Sequence, residues 1–145
     1  ALERYAVATF VAALHREPET ARFYAEALAG HDSGLAAAVA AEVERARAKG
    51  PYGRYPEGPL SAEDKAGPVY RVSDESRSVL SPRLAAALAH THLLVFRPRD
   101  SSAAALQALL DAGWSTTDIV TLSQLVAFLS FQIRVVAGLR ALAAA

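Results

Sequence analysis

Cysteine is missing from all 145 residues, and so is methionine. Without cysteine the chain has no disulfide, no thiol nucleophile and no thiolate metal site. A chain free of disulfides fits the cytoplasm, which is the location expected. Any excess of charge is missing too. Fifteen basic and fifteen acidic residues cancel, which leaves no electrostatic footprint for nucleic acid or an anionic membrane. There is no glycine-rich phosphate loop, no nucleophile elbow and no zinc motif, so neither cofactor nor metal is expected. No secretory n-region precedes the first apolar stretch. The opening "ALERYAVATF" starts in mid-helix without a cap, so residues upstream of Ala1 are expected.

What is present is apolar and rich in alanine. Hydrophobic residues make up 52%, enough for the core of one domain over residues 1–145. Alanine favours helix and lets helices approach closely, so an all-α bundle of about six helices is expected. The first covers Leu2 to Leu14 and is apolar on nearly all sides. Pro18 ends it and is also suited to the first position of the next helix. That second helix runs to about Leu28, with Thr20, Phe23, Ala27 and Leu28 inward and Gly30 closing it. A third helix, capped by Asp32 or Ser33, reaches Lys49. Leu35, Val39, Val43 and Ala46 form its inward stripe, and Glu42, Glu44, Arg45 and Arg47 read as its solvated face.

Residues 51–80 carry four prolines and no sustained periodicity. Tyr52, Tyr55, Leu60, Tyr70 and Val72 are too apolar for a disordered linker. An ordered arm over the bundle or over a second subunit is expected, with one short turn from Ser61. Ser81 and Pro82 open a fourth helix to about Phe96, on a stripe of Leu84, Leu88, Thr91 and Val95. Ser101 or Ser102 caps the fifth; Gly113 ends it, and Trp114 folds back on Leu109. "STTD" launches the sixth, from Thr116 to about Leu142. One apolar row on it is Ile119, Leu122, Val126, Leu129 and Ile133, and a second is Leu125, Phe128, Val135, Leu139 and Leu142. Two faces imply packing on both sides, within the bundle and against another subunit, with the 51–80 arm sharing the interface of a homo-oligomer. The uncharged tract from Ile119 to Ile133 holds fifteen residues, short for a membrane span.

Two stretches resemble a known family. "LERYAVATFVAALHREPETARFYAEAL" looks like the core hairpin of the AhpD-like, carboxymuconolactone-decarboxylase (CMD) superfamily. "LAHTHLLVFRPRDSSAAALQALLDAGWSTTDIVTLSQLVAFLSFQIRVVAGLRAL" is similar to the C-terminal half of its peroxidase-related CMD domain proteins. Together they cover a little over half the chain. The resemblance implies an all-α AhpD-like fold and a homo-oligomer. In peroxidase members it also implies Cys-x-x-Cys-x-x-x-His at the helix elbow and a glutamate on the preceding helix. Here the cysteine positions fall on Glu17 and Thr20, the histidine on Tyr24 and the glutamate on Tyr5. Glu3 lies two residues away, nearly opposite on the helix. The thiol peroxidase mechanism is therefore excluded for these residues, and no catalytic residue is assigned.

Other constellations carry two readings each. His15, Glu17, Glu19 and Tyr24 form an acid/base set at the elbow, or else the glutamates only favour the positive end of the second helix. Arg134 adjoins a narrow groove of Ser130, Ala127 and Ser123; a buried guanidinium there needs an acid from another helix or subunit, or a ligand's anion. Gln132 beside it suits either role. His90 and His92, two residues apart, point to different faces and do not chelate a metal. Arg97, Arg99 and Asp100 read as a surface ion cluster. The candidate pocket is Tyr5, His15, Glu17, Thr20, Tyr24, Gln132 and Arg134. The expected function is a diverged CMD-type protein binding a small molecule there. The alternatives are a non-catalytic assembly subunit and a cysteine-independent decarboxylase or isomerase.

Overall fold

The computed structural model describes residues 2–145 and is all helical. Seven α-helices follow in order: α1 (Leu2–Leu14), α2 (Pro18–His31), α3 (Ser33–Ala46), α4 (Asp74–Arg77), α5 (Pro82–Phe96), α6 (Ala103–Asp111) and α7 (Thr116–Ala143). Helix α1 is the axis of the bundle and packs on α2, α3, α5 and α7. Its alanines explain how four neighbours fit. Ala6 and Ala12 are fully buried beside Phe10 and Val11, so backbones approach on the small side chains while the large ones fill the gaps. Thr9 sits among them and donates its hydroxyl to the carbonyl of Tyr5 at 2.8 Å, which satisfies the one polar group that this helix buries.

Local chemistry sets the boundaries. Pro18 is the first residue of α2, and Glu17 accepts from the Thr20 amide at 2.7 Å. Asp32 ends α2 and caps α3, accepting from the Leu35 amide at 2.9 Å. Gly113, at φ +88°, closes α6, and the Trp114 amide donates to the Leu109 carbonyl at 3.0 Å. The Trp114 indole donates to the Arg83 carbonyl, and the Arg83 guanidinium lies over its ring at 3.9 Å. Arg83 also pairs with Glu3 at 3.0 Å and Asp118 at 3.2 Å, which ties α1, α5 and α7 together at that end.

The 51–80 arm is ordered against the bundle. Gly53 and Lys65 exchange both backbone hydrogen bonds, at 2.8 and 3.2 Å. A short 3-10 turn covers Pro59–Glu63 around the Ser61 position. The Tyr52 amide donates to the Phe96 carbonyl at 2.7 Å, and Val72 and Leu80 enter the core. The arm also contains α4, a single turn capped by Ser73 that its proline-rich surroundings did not announce.

Several expectations are corrected. Glu42 is not solvated but fully buried, since the arm lays Tyr70 and Ser73 across it. The Tyr70 hydroxyl donates to it at 2.6 Å, and Ser73 donates through its hydroxyl at 2.6 Å and its amide at 3.2 Å. These donors hold the carboxyl below its usual range against the opposing pull of burial. Phe23 points outward, 64% exposed; only Leu28 of α2 is buried, because α2 lies on the rim of the bundle. Helix α2 continues past Gly30 to His31, and α3 stops at Ala46, short of Lys49. The cluster after α5 is partly buried, with Arg97 paired to Asp100 at 3.1 Å, while Arg99 stacks on Tyr55.

Helix α7 buries Ile119, Leu122, Val126, Leu129, Ser130 and Ile133. Of the second row, Leu125 is half-buried, while Phe128, Leu139 and Leu142 are exposed within the single chain. By length and composition α7 would suffice to cross a membrane, with a mean hydropathy of 1.7 over its most apolar 18 residues. A third of that window is buried inside the chain, where it serves as core.

Candidate functional site

The elbow between α1 and α2 turns on Arg16, which takes a left-handed backbone (φ +57°) that is costly for a residue with a Cβ. The turn leaves His15 on the inner side of the last turn of α1. Its Nε2 lies 2.9 Å from Ser130 Oγ on α7. Seven residues earlier on α7, Ser123 Oγ lies 3.0 Å from His90 Nε2 on α5. Ser123, Ala127, Ser130 and Arg134 are spaced by four, three and four, so they share one face of α7. The small side chains at three of these positions leave unfilled space along that face, beside α5.

Two open hollows meet along this stripe. One, of about 460 Å³, lies against the elbow and is lined by His15, Arg16, Lys49, Phe96 and Arg134 among others. The second, of about 710 Å³, runs between α5 and α7 with Leu94, Val126, Ala127, Phe131 and Val135 in its walls. Pro51, Val95 and Arg134 line both, so the two form one cleft with Arg134 at the junction.

The charge of this cleft is positive. Arg16, Lys49 and Arg134 line it, and no aspartate or glutamate does among the described residues. Arg16 donates to the Ala48 carbonyl at 3.4 Å. Arg134 takes part in none of the ion pairs among the described residues and is exposed, which corrects its burial and its pairing with an acid from another helix of the chain. The histidines add no charge at neutral pH. Burial, and then the nearby Arg134 charge, lowers the pKa of His15 to about 4. Burial lowers that of His90 as well.

The candidate pocket residues separate into groups. His15 and Arg134 come together in the cleft. Glu17 and Thr20 form the α2 cap, and the remaining Glu17 oxygen accepts from Arg140 at 3.1 Å, while Glu19 takes the other arm of Arg140 at 2.6 Å. The hydrogen bond from Thr20 is the main cause of the lowered Glu17 pKa, so this carboxylate is ionised and fully occupied. Tyr5 packs its ring against His31 at 5.3 Å, and Tyr24 meets Phe23 edge to face at 5.2 Å. Glu17 and Tyr24 share no hydrogen bond among the described residues. Gln132 is exposed on another face of α7. Glu3 is bound to Arg83, away from the elbow.

His92 turns towards α3, within 3.1 Å of the Ala46 carbonyl and stacked on Tyr70 at 5.1 Å, whereas His90 turns towards α7. Among the described residues no three His, Asp or Glu side chains gather as metal ligands would. Lys49 and Arg16 line the cleft without having been singled out for it. Arg134 and the small-residue groove of Ser130, Ala127 and Ser123 marked the place in sequence. No protein-family model, curated protein or solved structure that was compared with the chain matches it.

Proposed function

We propose that the chain is a diverged member of the AhpD-like, CMD-type superfamily that holds a small molecule in the cleft beside the α1–α2 elbow. Support for the kinship comes from the hairpin of α1 and α2, which turns just before Pro18, with α1 packed against the long last helix. Support for binding comes chiefly from one observation: Arg134 stands without a carboxylate where two open hollows join, a polar one at the elbow and a largely apolar one between α5 and α7. A guanidinium in such a place is suited to a ligand. The redox cysteines are absent, so peroxide consumption with a thiol reductant stays at background.

A cysteine-independent decarboxylase or isomerase has less support. An imidazole with a pKa of about 4 is a weak base at neutral pH, and Glu17 is committed to its cap and to Arg140. The assembly reading rests on the outward row of α7, where Phe128 and Leu139 are each 60% exposed. In this proposal that row and the 51–80 arm meet a second copy in the cytoplasm, with no nucleic acid or membrane as partner.

The test is amide and methyl chemical-shift mapping with a panel of small metabolites. Shifts gathered at His15, Val95, Ser130 and Arg134 support the reading. Saturable shifts centred on Tyr5 and Tyr24, or none from any compound, contradict it.

A further inference from the structure

The two halves of the cleft differ in chemistry, and the difference specifies a ligand. The elbow half lies against the C-terminal ends of α1, α3 and α5, marked by Leu14, Ala48 and Phe96. Helix C-termini carry partial negative charge, and Arg16 and Lys49 beside them are suited to offsetting it. Arg134 has no such duty, because it stands in the middle of α7, a turn beyond Ser130. The cleft is thus left with roughly one uncommitted positive charge, and the negative helix ends count against a doubly charged head group. Beyond Arg134 the walls are apolar: Leu94 and Val95 on one side, Val126, Ala127 and Phe131 on the other. Ser130 and Ser123, the polar side chains of that stretch, face His15 and His90. The groove from Arg134 to Ser123 spans eleven residues of helix, about 16 Å at 1.5 Å per residue.

Resting on the small-molecule reading above, we infer that the cleft takes an amphipathic monocarboxylate, its head on the Arg134 guanidinium and its unbranched apolar tail between α5 and α7 towards Ser123. The guanidinium fork meets a carboxylate through two parallel hydrogen bonds. The tail removes Ala127, Phe131 and Val135 from water, while the fully buried Val126 forms the floor beneath it. Ala127 sets the width of the groove, since a larger side chain there fills the space that the tail would use.

Isothermal titration with octanoate, octanol, octyl phosphate and acetate tests this, on the wild-type chain and on Arg134→Gln, Arg134→Lys and Ala127→Leu, each checked for an unchanged helical spectrum. Octanoate is expected to bind, with acetate much weaker. Its affinity is expected to fall about tenfold or more in Arg134→Gln, as suits the loss of a charge-assisted pair. Arg134→Lys is expected to be intermediate, and Ala127→Leu to weaken octanoate. Octanol binding as tightly as octanoate, or an Arg134→Gln variant that binds octanoate normally, would overturn the carboxylate seat and leave the cleft as a small-molecule site. Octyl phosphate binding more tightly than octanoate would overturn the monocarboxylate assignment in the same way. If neither octanoate nor octanol binds, the inference fails, while the small-molecule reading beneath it is decided by the wider chemical-shift panel.

Discussion

His15 Nε2 lies 2.9 Å from Ser130 Oγ, a contact across 115 positions of sequence that fastens the end of α1 to the middle of α7. The pair sits between the elbow and the long helix, with Arg134 one turn beyond the serine. It fixes the shape of the cleft and makes His15 a reporter of the charge there.

Arg134→Gln should raise the His15 pKa. Burial is the larger cause of its depression and remains, so the new value should lie above about 4 but still below the usual histidine range. The imidazole carbon-bound proton shifts, followed by NMR against pH, measure it. An unchanged midpoint would mean that Arg134 does not act on His15.

Acid should destabilise the fold in a defined window. His15 and His92 are both lowered from 6.5 to about 4 in the folded state. The unfolded chain therefore takes up protons first as pH falls. The stability that these groups contribute is fully present above pH 6.5 and is lost between 6.5 and about 4. For the buried His92 that is on the order of 3 kcal/mol. Urea midpoints measured from pH 7.5 to 4 should fall through this range, and His92→Gln should flatten the fall.

Glu42→Ala should loosen the arm. It leaves the Tyr70 hydroxyl and both Ser73 donors without their acceptor, at a cost of roughly 2–4 kcal/mol for a buried carboxylate with several donors. Glu42→Gln, which keeps one acceptor, should lose less. Thermal melts give the order, and hydrogen exchange at the Ser73 amide shows whether the arm opens locally. Equal melts for both variants and the parent would refute the account of this contact.

Gly50→Ala should be costly for two reasons. Gly50 has φ +40°, and an added Cβ would stand 2.9 Å from Phe96 Cδ1 at the cleft wall. A loss of about 1–3 kcal/mol is expected from the backbone and the contact together. A melting temperature within a degree of the parent's would show that this corner yields freely.

Much of the frame was legible in the sequence because its signals are local. Pro18, the Ser81–Pro82 pair and Gly113 followed by Trp114 act through the backbone of their own turn, and each marks a helix end where expected. Leu122, Val126 and Leu129 repeat often enough to declare a core row without knowledge of the partner. Glu42 shows where such reading fails. It stands among Glu44, Arg45 and Arg47 as a solvated residue would, and only the arm, about thirty residues on, gives it Tyr70 and Ser73. Phe23 fails in the opposite sense: its size suggested core, but nothing packs over that side of α2 within the chain. For the site, the small-residue spacing around Arg134 pointed to a groove, whereas the family pattern at Glu17, Thr20 and Tyr24 pointed to an elbow pocket that these side chains do not form together. Lys49 and Arg16 reach the cleft through turns whose geometry leaves no periodic trace.

The most direct test is the His15 titration repeated with saturating octane-1-sulfonate, a singly charged stand-in for octanoate that stays ionised through the whole titration. Its head group on Arg134 offsets the positive charge that helps to depress His15, while Arg16, Lys49 and Glu17 stay where they are. The His15 pKa should therefore rise from about 4 on binding, with the His92 titration unmoved. A His15 midpoint that is the same with and without ligand, at a concentration where binding is saturated, would place the ligand elsewhere and contradict the cleft as the site.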